Sequence, residues 1–476
     1  MASNLLAGVG RVNITPPLGV DIMGTSRRWQ HAQGIHEDLL ATCLVLRAEA
    51  ICVVLVSCDL LVIPDPTAQE WRTRIAQIVG TEPGCVLLGC THTHNGPATS
   101  PHMPKIGGDQ TGLNAAEHAY IAHLGHQLES AAFAATSTLK PARLAAGVGK
   151  AALNINRREM LPDGRTVIGR NIDGPCDEDV SVLRVDTEDG APLAAVVTYT
   201  SHPVISPHSH LISPDFVGST RRVVEHLTGA PLLFFTGAAG NINNRNYLET
   251  DLRIVERVGR QLGCEVARVF LGLKPQPTEV RPDFIQSVSS LKIYPEVPVD
   301  EPAIRCMAVA NADLHLNLEP LPTLEEAEQI AAEKQRIVTK LTEEGAEKTA
   351  INPAIYQWLW AQSTLNRMRT GAAPTSIHAE IQVMRINDIA LVAVPGEAFV
   401  EIALQVKAQS PAVTTIFVGY ANGAIGYIPM REDYPRGGYE VREAHKGYGL
   451  PSALARGSAE QIVDTCLQLL RELWKQ

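Results

Sequence analysis

The sequence predicts an α/β fold: a mixed β-sheet core flanked by helices, with an inserted helical hairpin. Three observations lead there. Short apolar runs of strand length alternate with amphipathic stretches over the first two-thirds of the chain. Five such runs are each followed at once by a polar cluster. Beyond residue 321 two long stretches of helical period replace the alternation.

Taken in order, strands are expected at 51–57, 85–91, 182–185, 194–200 and 231–236, all β-branched or leucine-rich. Asp65-Pro66 offers an N-cap and an N1 proline to a helix that Gly80 ends. Asn114 and Glu117 form a capping-box pattern before a second helix. Residues 217–228 and 251–271 read as two more. Thr323 and Glu326 repeat the capping box, Gly345 interrupts, and a further helix carries Tyr356, Trp358 and Trp360. Residues 321–373 thus form a hairpin between a first core part, 1–320, and a second, 374–476. The hairpin suits a lid or an oligomer contact. Strands return at 379–385, 389–394 and 414–418, and Ser458 with Gln461 caps a last helix.

Composition narrows the function. With 45% hydrophobic and 19% charged residues the 476-residue chain is ordinary for a globular protein. A formal charge of −10 argues against nucleic acid as a partner, since such binders carry a basic face. No basic segment precedes an apolar stretch at the N-terminus, and no run is long enough to span a bilayer. A soluble protein without a membrane partner is expected. Nine scattered cysteines with no CxxC pair read as reduced core thiols in the cytoplasm.

The chemistry gathers at strand ends. The clusters are THTHNGP with His92 and His94, SHPVIS with His202, TGAAGN, PGE with Glu397, and GYANGAIGY with Tyr420, Asn422 and Tyr427. Open α/β sheets bind ligands outside the carboxyl ends of their strands. Period-two geometry puts His92 and His94 on one side, one as ligand and the other as its catalytic neighbour. Neutral imidazoles with a carboxylate suit Zn²⁺. No HEXXH occurs, so the ligands must come from distant segments.

Further segments follow in order: GVGRVNITPP, GIHEDLLATCLVL, VLVSCDL, GCTHTHNGP, NINR, SHPVIS, SPDFVG, VPGEAF and GYANGAIGYIPMREDYPRGGYE. Together they resemble the N-terminal catalytic domain of the neutral/alkaline ceramidases and their small bacterial relatives, over residues 6–245 and 376–452. The resemblance implies hydrolysis of an N-acyl amide with one zinc ion per chain. It implies His92, His202, Glu397 and Tyr427 as ligands. His94, Arg157 and Tyr439 fall where that family contacts the scissile carbonyl or stabilises the oxyanion. Three departures are expected. The family's serine loop, Gly-Asp-x-Ser-Pro-Asn, is replaced by Thr236-Gly237-Ala238-Ala239-Gly240-Asn241, which has no hydroxyl at the corresponding place. The C-terminal immunoglobulin-like domain is missing, and the 321–373 hairpin is added.

The expected mechanism is attack of metal-activated water on the carbonyl, with His94 as general base and then acid. Asp59 would orient a metal-bound histidine, Asp215 would support the site or cap a helix, and His36 and Asn422 would line the pocket. Arg27, Arg28, Arg431 and Arg436 lie where they could take a substrate carboxylate by bidentate contacts. With 5% aromatics, a small polar amide is expected rather than ceramide. A metal-dependent esterase or lactonase, or a non-catalytic metal-binding relative, are the rival readings. A homo-oligomer is compatible with the sequence.

Overall fold

Apolar strands buried on both faces need a layer on each side, and the observed layers supply it. The structure is a computed structural model and describes residues 4–18, 20–25, 31–102 and 112–475. Eight strands form the large sheet: β1 (Leu6–Asn13), β2 (Leu40–Ala48), β3 (Ile51–Cys58), β4 (Val86–Cys90), β5 (Lys140–Lys150), β6 (Asp179–Thr187), β7 (Pro192–Tyr199) and β8 (Leu232–Thr236). Their spatial order is β8-β7-β6-β5-β1-β2-β3-β4. The interior pairs are antiparallel, whereas the outermost pairs, β3/β4 and β7/β8, are parallel. A second sheet contains β9 (Met307–Asn317), β10 (Ser376–Ile386), β11 (Ile389–Ala393) and β12 (Thr414–Val418), again ending on a parallel pair, β11/β12.

The two sheets pack face to face. Leu44, Leu55, Leu183, Val196 and Phe235 of the first meet Met384, Leu391, Ile416 and Val418 of the second. Helices α1 (Asp65–Val79) and α2 (Ala115–Ser137) cover one half of the large sheet's outer face. Helices α3 (Phe216–Thr228) and α4 (Leu252–Gly272) cover the other half. The outer face of the second sheet carries α7 (Val400–Gln409) and α8 (Ser458–Lys475). This is a helix–sheet–sheet–helix sandwich, the α/β architecture expected.

Both capping boxes form: Asn114 with Glu117 ahead of α2, and Thr323 with Glu326 ahead of α5 (Leu324–Glu343). Gly80 closes α1 in the left-handed conformation, at φ 75°. Two expected caps do not form. Pro64 holds the N-cap position of α1, and Asp65 lies inside the first turn, where its Oδ1 accepts the amide of Ala424 instead. Ser458 lies within α8 and donates to Ala455 O. The strand expected from residue 85 begins at Val86, because Pro83–Cys85 forms a 3₁₀ turn.

Helix α6 (Lys348–Arg369) follows α5, and the two share a small cluster of Ala327, Ala331, Ala361 and Leu365. Two side chains of α6 fasten it to the rest of the chain. Trp360 Nε1 donates to Leu450 O at 2.8 Å, and Arg367 Nη2 donates to Gly449 O at 2.7 Å.

Candidate active site

Three parallel strand pairs deliver their carboxyl ends to one place. β3/β4 and β7/β8 occupy opposite edges of the large sheet, so its curl has to bring those edges together. Two side chains bond across the seam. Ser57 Oγ donates to Phe234 O at 2.5 Å, and Thr236 Oγ1 donates to Thr91 O at 2.7 Å. The end of β12 wedges in beside them: Gly419 N donates to Thr236 O, and Asn422 N to Leu88 O. The segments after β4, β7, β8, β11 and β12 therefore meet.

His92 leaves β4 in the left-handed region, at φ 66°, and Tyr420 leaves β12 at φ 55°. Their rings stack at 4.1 Å between centroids. Non-glycine residues held there cost on the order of 1–3 kcal/mol each and gather at functional sites. The strand periodicity expected to align His92 with His94 is absent, because β4 ends at Cys90. A turn in the backbone brings the two together instead, at 5.0 Å between ring centroids.

Each histidine is oriented by a backbone carbonyl. His92 Nδ1 donates to Leu61 O at 2.8 Å, His94 Nδ1 to Gly24 O at 2.9 Å, and His202 Nδ1 to Ala239 O at 2.7 Å. A carbonyl can only accept, so the Nδ1 atoms carry the protons and the Nε2 atoms are left for other work. The ligand atoms of His92, His94 and His202 all lie within 4.8 Å of one another. Burial, then Arg157, pushes the His202 pKa down to about 4, and burial, then His92, pushes that of His94 well below its usual value. Both rings are neutral.

Glu397 completes the cluster. Its Oε2 lies 3.0 Å from His202 Nε2 and 3.4 Å from His92 Nε2. Burial alone would raise the pKa of this carboxyl, but His92 and His202 hold it well below the usual range. Tyr420 Oη reaches Oε2 at 3.4 Å, and Tyr448 Oη donates to Oε1. Buried His92 Nε2 has no hydrogen-bond partner. Two imidazole Nε2 atoms thus face one carboxylate oxygen at van der Waals distance or closer, a donor set suited to a cation held between them. Ligands of a tetrahedral zinc at about 2.0–2.2 Å lie about 3.3 Å apart, so these spacings fit a divalent ion.

Arg157 forms the floor. It lies in the strand Asn154–Met160 and is itself only 4% exposed. Nε donates to Glu440 Oε1 at 2.8 Å, Nη1 to Asn243 Oδ1 at 3.2 Å, and Nη2 to Tyr427 Oη at 3.0 Å. Glu440 also takes Arg158 Nη1 through its other oxygen, at 2.7 Å. Tyr427 sits at the end of a short strand beside Glu397, the two being register partners. Tyr439 stands over it, at 5.8 Å between rings, and is 42% exposed at the mouth.

Residues 5–232 match the family described as neutral/alkaline non-lysosomal ceramidase, N-terminal. The neutral ceramidase of Pseudomonas aeruginosa is 26% identical, over 91% of this chain and 68% of that protein. The chain is similar to the neutral ceramidases over most of its length. Its fold agrees: the crystal structure of the Pseudomonas aeruginosa enzyme superposes with a TM-score of 0.66 at 19% identity, covering 100% of this chain and 75% of that one. A ceramidase complexed with C2 superposes equally well.

In the loop that departs from the ceramidase serine pattern, Ala239 stands at the serine position and Gly240 at the proline, where a Cβ would lie 2.3 Å from Glu397 O. All seven ceramidase-like positions, His92, His94, Arg157, His202, Glu397, Tyr427 and Tyr439, fall in one constellation. Three expected neighbours, Asp59, Asn422 and His36, do other work, and Asp215 takes the helix-capping role of its two expected ones. Asp59 does not touch His92; it pairs with Arg221 Nη2 at 2.9 and 2.7 Å and accepts Leu40 N. Leu61 O has taken the orienting task. Asp215 caps α3 through Phe216 N and pins Ser206 N, and burial raises its pKa to about 6. Asn422 ties β4 to β10 through Leu88 N and Gln382 Oε1. His36 Nδ1 is engaged by Ser213 Oγ, and its Nε2 faces Glu256 at 3.7 Å. Arg431 and Arg436 stand against Glu460 and Asp433 on the surface. Arg27 and Arg28 lie outside the described residues.

Tyr448, Glu440 and Asn243 were not foreseen as site residues. Tyr448 has no motif around it beyond a Gly-Tyr-Gly turn, and Glu440 reads as an ordinary acid beside Tyr439. Asp59→Ala is expected to lower stability by about 3–5 kcal/mol, because it strands a buried guanidinium. Urea unfolding measures this. Loss of metal without loss of stability would instead return Asp59 to the site.

Proposed function

We propose that this protein is a zinc-dependent amidohydrolase that cleaves the C–N bond of a small, linear, polar N-acyl amide. One observation carries the reading: two carbonyl-anchored histidines, His92 and His202, present Nε2 atoms to the Glu397 carboxylate within 3.4 Å. The relation to ceramidases, whose substrate is an N-acyl amide, supports the bond class. His92, His202 and Glu397 would hold the ion, with Tyr427 as a fourth group. When bound, it supplies Lewis acidity and lowers the pKa of water to about 7.

The chain's own groups do the rest. His94 is anchored through Nδ1 to Gly24 O, so proton exchange falls to Nε2, which takes the proton of the attacking water and returns it to the departing amine. Arg157 Nη2, Tyr427 and Tyr439 line the side where carbonyl charge develops; one such donor is worth about 3–4 kcal/mol. Water adds, the C–N bond breaks, and a carboxylate and an amine leave. None of the described helices is long and apolar enough to cross a membrane, which supports a dissolved substrate. The cysteines are all unpaired, which supports a reducing, cytoplasmic setting.

The test is a panel of N-acyl amides with matched esters. The purified protein is assayed as isolated, after chelation, and after zinc is restored. Amide turnover should vanish with the metal and return with it. Undiminished turnover in metal-free protein, or cleavage of esters alone, would remove the proposal.

A further inference from the structure

Beside the histidine cluster lies a cleft of about 490 Å³ between α6 and the turn formed by residues 445–449. Tyr356, Leu359 and Trp360 of α6 make an apolar wall. Arg367, Lys446 and His102 stand among the other lining groups, and among the described lining residues none is acidic.

Arg367 is a half-buried cation. Most buried arginines here meet a carboxylate, Arg72 with Glu380, Arg157 and Arg158 with Glu440, Arg221 with Asp59, whereas Arg143 bonds a backbone carbonyl. Lys446 is paired as well, with Glu443 at 2.6 Å, over the Trp360 ring. Arg367 donates to Gly449 O, and among the described residues no carboxylate answers its charge. Burial lowers its pKa with nothing raising it, and its Nε is buried without a partner.

The cleft and the ligand cluster share a wall. Lys446 and Gly449 line the cleft, and between them Tyr448 turns its hydroxyl to Glu397 Oε1. Gly449, at φ 68°, lets the turn approach His102: a Cβ there would lie 2.5 Å from that ring. Tyr448 also packs edge-on against Tyr427, at 6.4 Å. A molecule seated on Trp360 with its anionic end at Arg367 would therefore place its other end toward the groups assigned to catalysis.

We infer that this cleft seats a carboxylate-bearing arm of the amide substrate, with Arg367 as its counter-ion and Tyr356, Leu359 and Trp360 covering its apolar part. A guanidinium left without an internal partner is a ready fork for a carboxylate. The inference rests on the amidohydrolase reading, and names its substrate class as acidic amides.

The test uses two matched probe pairs, with the acid on either side of the amide: N-benzoylglycine against its methylamide, and N-phenylsuccinamic acid against N-phenylbutanamide. Dissociation constants are read from tryptophan fluorescence of the full chain, which needs no turnover. At least one acid should bind ten or more times tighter than its neutral partner. Arg367→Met should erase that preference, and Arg367→Lys should keep part of it. In hydrolysis, Arg367→Met should raise KM for acids far more than it changes kcat. Equal binding of acids and neutral partners by the wild-type protein overturns the inference, whether or not the variants fold. So does a preference that survives Arg367→Met. Tight binding of acids without hydrolysis of any amide would sink the amidohydrolase reading and leave the cleft assignment standing. Hydrolysis of acidic and neutral amides at equal efficiency would do the reverse.

Discussion

Glu397→Gln is expected to strip the protein of metal and make its thermal stability indifferent to chelators. In the wild-type chain the Glu397 carboxylate faces the Nε2 atoms of His92 and His202 at 3.4 and 3.0 Å. Removing a cation from that trio leaves lone pairs opposed in a buried place. A ligand held only by the folded state stabilises it by about 4 kcal/mol at a thousandfold excess over its dissociation constant. Chelation should therefore lower the wild-type melting temperature markedly. Glutamine lacks the charge but offers an N–H that can donate to a histidine Nε2. The variant should thus melt at the same temperature with and without chelator, and no lower than chelated wild type. Its amidase activity should fall by more than about a hundredfold, the upper range for losing even an outer partner of a metal ligand. Scanning fluorimetry with metal analysis decides the matter. A wild-type melting curve unmoved by chelation would count against any resident cation.

Arg157→Lys is expected to lower kcat by about a hundred- to a thousandfold, the usual effect of removing one oxyanion donor, with a smaller change in KM. The guanidinium reaches Glu440, Asn243 and Tyr427 at once. An ammonium is a point charge and cannot hold three separated acceptors. Lysine keeps the charge next to Glu440, so folding and metal content should survive, and loss of the fork alone is read. Glu440→Gln tests the same link from behind. It should leave the arginine in place but poorly aimed, with an intermediate fall in kcat and some loss of stability from the neighbouring Arg158. If both variants turn over within twofold of wild type, Arg157 is a structural group only.

Much of this was legible because it is local. The capping boxes at Asn114 and Thr323 are decided within four residues, by a side chain and the amides it can reach. His92, His202 and Glu397 stood out because each follows an apolar run of strand length. The same local view misled in places. His92 and His94 were expected to align as strand neighbours, yet they meet through a left-handed turn. Asp59 was expected to orient a histidine, but the Arg221 guanidinium, 162 residues away, claims it. Tyr448 and Arg367 carried no signal at all, since their value depends on what faces them.

By itself the sequence determined that apolar strands would end in histidine, glutamate and tyrosine, and that two long helices would follow residue 323. Only the tertiary structure decided that these ends coincide. β4 and β8 lie at opposite edges of one sheet, and the seam between Thr91 and Thr236 closes across 145 residues of chain. Strand patterns are set by alternation over a few residues, whereas the curl that joins two edges is summed over every strand between them. No short window of sequence contains that sum.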